Sequence, residues 1–190
     1  PSPIQITYIG YPFSTGMKAI DYKISDKICD PEGSQCHYTE KLLYMPICHL
    51  NYVNTALDIP FDPPCIKNKY FTFCSMNRYP KISSKNVKLW SKILGKVTGS
   101  KMYIKCAAFE SEVVRKEIIS RFGKNGISKK RLILKNHSKS NYLLSYLYTD
   151  ICLDTFPYSG TTTTCDTIHM GVPYVTLKGD RYSQNVSTSI

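Results

Sequence analysis

From residue 70 onward the apolar positions switch regularly between two spacings. Short apolar runs of buried-strand type at 70–75, 102–106, 131–134, 151–153 and 174–177 are separated by stretches with helical spacing. Ser83 or Ser84 is positioned to cap a helix running to about residue 96, with Val87, Trp90, Leu94 and Val97 on one face. Residues 110–122 predict a helix presenting Val114, Ile118 and Phe122, and 140–148 predict another. Thr161 to Thr164 offer N-caps to a helix that Gly171 and Pro173 stop, and the last ten residues read as the start of one more. Such βα repeats with right-handed crossovers predict an α/β domain: a Rossmann-like parallel sheet with helices on both faces. Ligands of that architecture bind outside the carboxyl ends of the strands.

Before residue 67 the pattern differs. Residues 5–9, 21–25 and 41–45 read as strands with turn-rich connections and no convincing helix. Residues 51–68 carry Pro60, Pro63, Pro64 and two aspartates and read as a linker. Two units are therefore expected, 1–66 and 67–190, and Pro1 stands directly before a strand as if cut from a longer chain.

The stretch 149–177 carries the chemistry. A strand, a Gly/Thr loop and a helix start in succession make an anion site, because first-turn amides lack intrahelical acceptors and the helix dipole favours negative charge there. The hydroxyls of Thr162 and Thr163 add donors, and Asp166, one turn in, can accept from a sugar hydroxyl. The same residues also suit an ordinary capped helix. Two other loops project from the same sheet edge, 76–81 with Arg78 and Lys81, and 135–139 with Lys139. Cations around a helix N-terminus make a diphosphate cradle that needs no metal. No G-x-G-x-x-G follows a strand, residues 95–101 have the wrong order for a P-loop, and no Asp-x-Asp is present to hold a metal-bound diphosphate.

Composition narrows the class. With 190 residues, 42% hydrophobic and 12% aromatic, the chain is long and apolar enough for a packed core. No apolar run reaches the roughly 18 residues that span a bilayer, so no membrane partner is expected. The net charge of +11 comes from lysines scattered along the chain and densest at 124–131 and 135–139, both loop-like, rather than gathered on one helix face. That argues against nucleic acid and suits an anionic nucleotide. Eight cysteines include no C-x-x-C, and the Cys29, Cys36, His37 spacing matches no zinc pattern. A reducing, cytoplasmic or nucleocytoplasmic setting fits, with the sequons at Asn136 and Asn185 chance matches.

Longer motifs add a family resemblance. They are P-x-P-I-Q-x-x-Y-x-G-Y-P at 1–12, Y-T-E-K-L-L-Y-M-P at 38–46, F-x-F-C-S-M-N at 71–77 with Lys81-Ile82, and L-W-S-K-I-L at 89–94. D-I-C-L-D-T at 150–155, G-T-T-T-T-C-D at 160–166 and G-V-P-Y-V-T-L at 171–177 complete them. In order and spacing the chain resembles the catalytic region of the protein O-GlcNAc transferases, two-lobed GT-B enzymes that use UDP-GlcNAc. The resemblance implies the closing part of the first lobe over 1–66 and most of the second lobe over 67–190, with TPR repeats and the first-lobe histidines upstream.

It implies inverting, metal-independent transfer of N-acetylglucosamine to Ser/Thr of an acceptor protein or peptide, with no cofactor beyond the UDP-sugar. Lys81 takes the position of the lysine that contacts the diphosphate and assists UDP departure, and Thr162 and Thr163 that of the pair holding it. Asp166 and Lys139 match ribose contacts, the backbone around Asn136 and His137 the uracil edge, and Gly10 and Pro12 the loop on the sugar and acceptor side. The chain departs from the pattern at Thr161 (His in the family), Arg78 (Gln), Tyr142 (His, against uracil) and Ser145 (Arg). The rival readings are a non-catalytic lobe that holds UDP or a protein, and a transferase using another nucleotide-sugar.

Overall fold

The computed structural model describes residues 2–10, 12–53, 62–136 and 142–190. Two all-parallel sheets carry the chain. The first is β1 (Ile6–Thr7), β2 (Tyr22–Asp26) and β3 (Lys41–Met45), in the order β1-β2-β3. The second is β4 (Thr72–Ser75), β5 (Lys101–Lys105), β6 (Leu132–Lys135), β7 (Ile151–Leu153) and β8 (Tyr174–Val175), in the order β6-β5-β4-β7-β8. That order is doubly wound: the chain builds outward from β4 in one direction, then returns to pair β7 on its other side. The loops after β4 and β7 therefore diverge and leave a crevice between them at the carboxyl edge.

Both faces of the second sheet are buried, as a parallel sheet requires. On one face Phe73, Met102, Ile104 and Leu153 pack with Val87, Trp90 and Leu94 of α2 (Ser84–Lys96) and Ile118 and Phe122 of α3 (Glu112–Gly123). On the other, Cys74, Tyr103 and Cys152 pack with Leu143, Tyr146, Met170 and Val172. Neighbouring strand residues thus go to opposite cores, the period of two expected of a strand. Ser83 caps α2 by accepting from the Asn86 amide. Asn86 also joins the two loops of the crevice. Its Nδ2 donates to Lys81 O at 2.9 Å and its Oδ1 accepts from the Phe156 amide at 3.1 Å.

Three expectations change. Residues 142–148 form a 3₁₀ helix rather than an α-helix. Three residues per turn stack Leu143 and Tyr146 on one buried side, which suits this short aromatic stretch. The expected linker contains α1 (Pro64–Asn68), where Pro64 takes the first helical position and the unpaired Cys65 amide donates to Asp150 Oδ1 at 2.8 Å. The lysines are also less scattered than the sequence suggests: Lys85, Lys88, Lys92 and Lys96 lie along one exposed stripe of α2.

The final helices complete the frame. α4 (Thr162–His169) follows β7, and α5 (Tyr182–Ser189) lies on the first sheet, with Tyr182 and Val186 against Cys29 and Leu50. No helix among the described residues is long and apolar enough to cross a membrane.

Within the first sheet Glu40 organises the turn before β2. Its carboxylate accepts from Ser14 Oγ at 2.7 Å, from the Thr15 amide at 2.6 Å and from Thr15 Oγ1. Burial alone would push this carboxyl up, but the Thr15 and Ser14 hydrogen bonds outweigh it and hold Glu40 at about 2, against an ordinary 4.5. A value below the unfolded one means that ionised Glu40 stabilises the fold above about pH 4.5, and that this stabilisation is lost as pH falls toward 2. Thermal unfolding between about pH 5 and pH 3 should therefore lower Tm less in Glu40→Gln than in the wild type. Equal losses would show that the turn is not coupled to this carboxyl.

Candidate functional site

The crevice is closed by the loop between β7 and α4. Asp154, just past β7, accepts from the Thr155 amide at 2.7 Å, the Gly160 amide at 2.9 Å and Thr176 Oγ1 at 2.7 Å, pinning both ends of the loop. Gly160 is packed so closely that a Cβ there would come within 2.5 Å of Thr164 Oγ1 and 2.7 Å of the Tyr174 hydroxyl. Only glycine lets the loop approach the helix start this tightly.

At that helix start the cap is missing. Thr161 occupies the N-cap position, yet its side chain makes no capping hydrogen bond. Its carbonyl accepts from the Thr164 and Cys165 amides. Among the described residues the amides of Thr162 and Thr163 have no acceptor, and Thr162 is exposed. Thr163 Oγ1 lies 3.3 Å from Asn77 Oδ1, a long contact easily given up. Asn77 is 2% exposed, and its Nδ2 is buried with no partner. Two free helix amides, with a buried unpaired donor on the neighbouring Asn77, make an arrangement that can receive an anion.

Lys81 follows in the same loop as Asn77 and reaches the loop that enters α4. Its ammonium donates to Ser159 O at 2.7 Å and lies 4.4 Å from the centre of the Tyr158 ring. Burial lowers its pKa; the nearby Asp154 carboxylate opposes this and Arg78 adds to it. Arg78 itself is exposed at the rim.

Two cavities flank the cradle. One of about 110 Å³ is lined by Met76, Lys105, Tyr142, Tyr146, Thr163 and Asp166. Its edge is Asp166, 2% exposed, whose Oδ1 accepts from the Tyr142 hydroxyl at 3.1 Å and from that of Tyr52. Rings and a thioether on its walls suit a flat, weakly polar group, with a carboxylate at hand for hydroxyls. The other, of about 60 Å³, lies between Gly10, Pro12 and Leu50 on the first-sheet side and Tyr158, Thr161 and Tyr182 on the other.

The structure therefore brings together Lys81, Thr161, Thr162, Thr163, Asp166 and Tyr142, with Gly10 and Pro12 opposite. Asn136 is exposed just past the end of β6. His137 and Lys139 lie outside the described residues. The sequence reading did not single out Asn77, Tyr158, Ser159 or Lys105. A charged residue ending the apolar strand β5 was the signal available for Lys105.

Among the described residues one group could offer three metal ligands, Asp26, Cys48 and His49. Its carboxylate is already occupied, since Asp26 accepts from the amides of Ile28, Cys29 and His49 and from Ser189 Oγ, with His49 Nδ1 2.5 Å away.

The sequence profile of glycosyl transferase family 41 matches residues 1–53 and 65–190. Over its whole length the chain is 40% identical to a protein of Eustoma exaltatum subsp. russellianum named probable UDP-N-acetylglucosamine–peptide N-acetylglucosaminyltransferase SPINDLY. It is 27% identical to the Arabidopsis thaliana protein of the same enzyme type named SEC. It spans only 21% and 20% of their lengths. A mutant O-GlcNAc transferase of Thermobaculum terrenum superposes with a TM-score of 0.89 at 29% identity, over 99% of this chain and 36% of that one.

If Thr163 only begins a helix, Thr163→Ala should leave affinity for anions unchanged. If it holds a diphosphate, the variant should bind UDP about tenfold or more weaker, since a hydrogen bond to a charged group contributes about 1.5–3 kcal/mol. Uridine, which lacks the phosphates, should bind both proteins equally. Calorimetry with the two ligands separates the cases, and equal losses for both would mean the loop had unfolded.

Proposed function

Because the chain belongs to glycosyl transferase family 41, we propose that it supplies the nucleotide-sugar site of a protein glycosyltransferase. The donor in this reading is UDP-N-acetylglucosamine and the acceptor a Ser or Thr hydroxyl of a protein, in line with the names of its relatives. The observation that carries it is the uncapped start of α4 together with Lys81, whose ammonium is docked on the Ser159 carbonyl two residues before the N-cap.

The mechanism follows from where charge develops. The acceptor oxygen bonds to the anomeric carbon from the face opposite the leaving group, inverting it, while the bond to the β-phosphate oxygen breaks. The acceptor hydroxyl gives up its proton to solvent, and negative charge builds on the departing diphosphate. The free amides of Thr162 and Thr163 and the α4 dipole meet that charge without reorganising. Lys81 adds a cation held in place by Ser159 O and the Tyr158 ring. Its burial-lowered pKa makes it a readier proton donor to the leaving oxygen as well as a counter-charge. In this reading Tyr142 and Asp166, which share a hydrogen bond and a cavity, take the base and the ribose. Donor binding in this arrangement rests on amides and ammonium groups, so it should persist in the presence of a chelator. All eight thiols are free, which supports a reducing, cytoplasmic or nucleocytoplasmic setting.

Lys81→Ala, made in the complete reading frame in which this chain lies, should lower kcat by about 10²-fold or more while changing donor KM little. Turnover of UDP-N-acetylglucosamine should be compared with that of other nucleotide-sugars in the same assay. An unchanged kcat with a raised KM would reduce Lys81 to a binding residue. Diphosphate binding without turnover of any donor would leave a nucleotide-holding module.

A further inference from the structure

Lys105 ends β5 at the carboxyl edge of the sheet and is 7% exposed. Among the described residues its ammonium has one partner, the hydroxyl of Ser145, to which it donates at 2.6 Å. Among the described residues no carboxylate offsets it, and burial moves its pKa downward. A buried ammonium with three N–H groups and a single neutral acceptor is costly unless something else accepts from it. What it borders is the cavity of about 110 Å³ beneath Tyr142.

The surroundings say what kind of acceptor fits. The cavity shares Thr163 with the diphosphate cradle and Asp166 with the next turn of α4, so it continues the cradle inward. A second phosphate there would face the Asp166 carboxylate. The walls are otherwise the thioether of Met76 and the rings of Tyr142 and Tyr146, which favour a flat neutral ring. The motif resemblance sets an arginine at position 145; here the positive charge reaches that point from the neighbouring strand instead.

Resting on the nucleotide reading of this site, we propose that Lys105 selects the base, donating from its ammonium to the exocyclic carbonyl of a keto nucleobase. That carbonyl is O4 of uracil or O6 of guanine. Cytosine and adenine present an amino group at the same place, and a lysine, having no acceptor, leaves two buried donors facing each other. A site built to pair one polar group rejects the analogue that cannot pair.

The test is calorimetry of this chain with UDP, CDP, GDP and ADP. The keto member of at least one pair, UDP over CDP or GDP over ADP, should bind about tenfold to hundredfold tighter, the range for a hydrogen bond to a charged group. Which pair shows the preference identifies the base. Lys105→Met, similar in length and without charge, should abolish that preference by weakening the keto nucleotide alone. Pyrophosphate should bind wild type and variant equally, which also shows that the variant is folded. Diphosphates binding without regard to base, or a variant that loses the same factor for both members of a pair, would overturn the role of Lys105 and leave the diphosphate site standing. Failure of every nucleotide and of pyrophosphate to bind the wild type would overturn both.

Discussion

One carboxylate sets the geometry on which the crevice depends. Asp154 leaves β7 with both oxygens committed, Oδ1 to the amides of Thr155 and Gly160 and Oδ2 to Thr176 Oγ1 beside β8. By gripping the loop at its first residue and at Gly160, it holds the segment whose Ser159 carbonyl accepts from Lys81 and whose Thr161 enters α4 without a capping bond. The same carboxylate lies close enough to Lys81 to favour its charged form against burial. Loop shape, free amides and the docked cation thus have a common origin.

The first sheet is tied to this site by polar contacts as well as apolar ones. Tyr52 reaches Asp166, and the ring of His49 sits between Asp26 and Tyr182, with Nδ1 2.5 Å from the carboxylate and Nε2 2.6 Å from the phenol oxygen. Ser189, at the end of α5, donates to the same Asp26. Burial would raise the Asp26 pKa, but bonds from His49, Cys29 and Ser189 reverse that and hold the carboxylate ionised. Tyr182 also lines the small cavity opposite Gly10 and Pro12. The wall of that cavity is therefore positioned by both sheets together, and a displacement of either would change its shape.

How far the sequence could be read follows the range of the interactions. α2 was legible from Ser83 to its last turn because a cap and an apolar stripe are local features. The Thr-rich stretch was legible as a helix start for the same reason. Whether it capped itself was not, because that depends on Asp154 and on Gly160 packing against Thr164 and Tyr174. The helix expected over 140–148 has no legible type, because Leu143, Tyr146 and Leu147 fit a spacing of three and of four equally well. Arg78 and Lys81 looked equivalent as loop cations. In the fold Arg78 is in solvent while Lys81 is docked on Ser159 and Tyr158. The contact of α5 with the first sheet joins residues more than a hundred positions apart, beyond any local pattern.

Charge shows how much the same residue type can differ with its place. The α2 lysines stand in water along an exposed stripe, where each is solvated and its nearest like charges are screened. Three other lysines have been drawn inward, and burial lowers the pKa of each. Lys23, 1% exposed, is supported by Asp30 and Glu40 and lies over the Tyr182 ring. Lys81 has Asp154, a carbonyl and a ring. Lys105 has one hydroxyl and an adjoining cavity. The first two are explained by the protein that surrounds them. The third is desolvated without a counter-charge and borders a cavity that shares Thr163 with the start of α4, so a ligand whose phosphates met the free amides of that helix would bring its far end to Lys105.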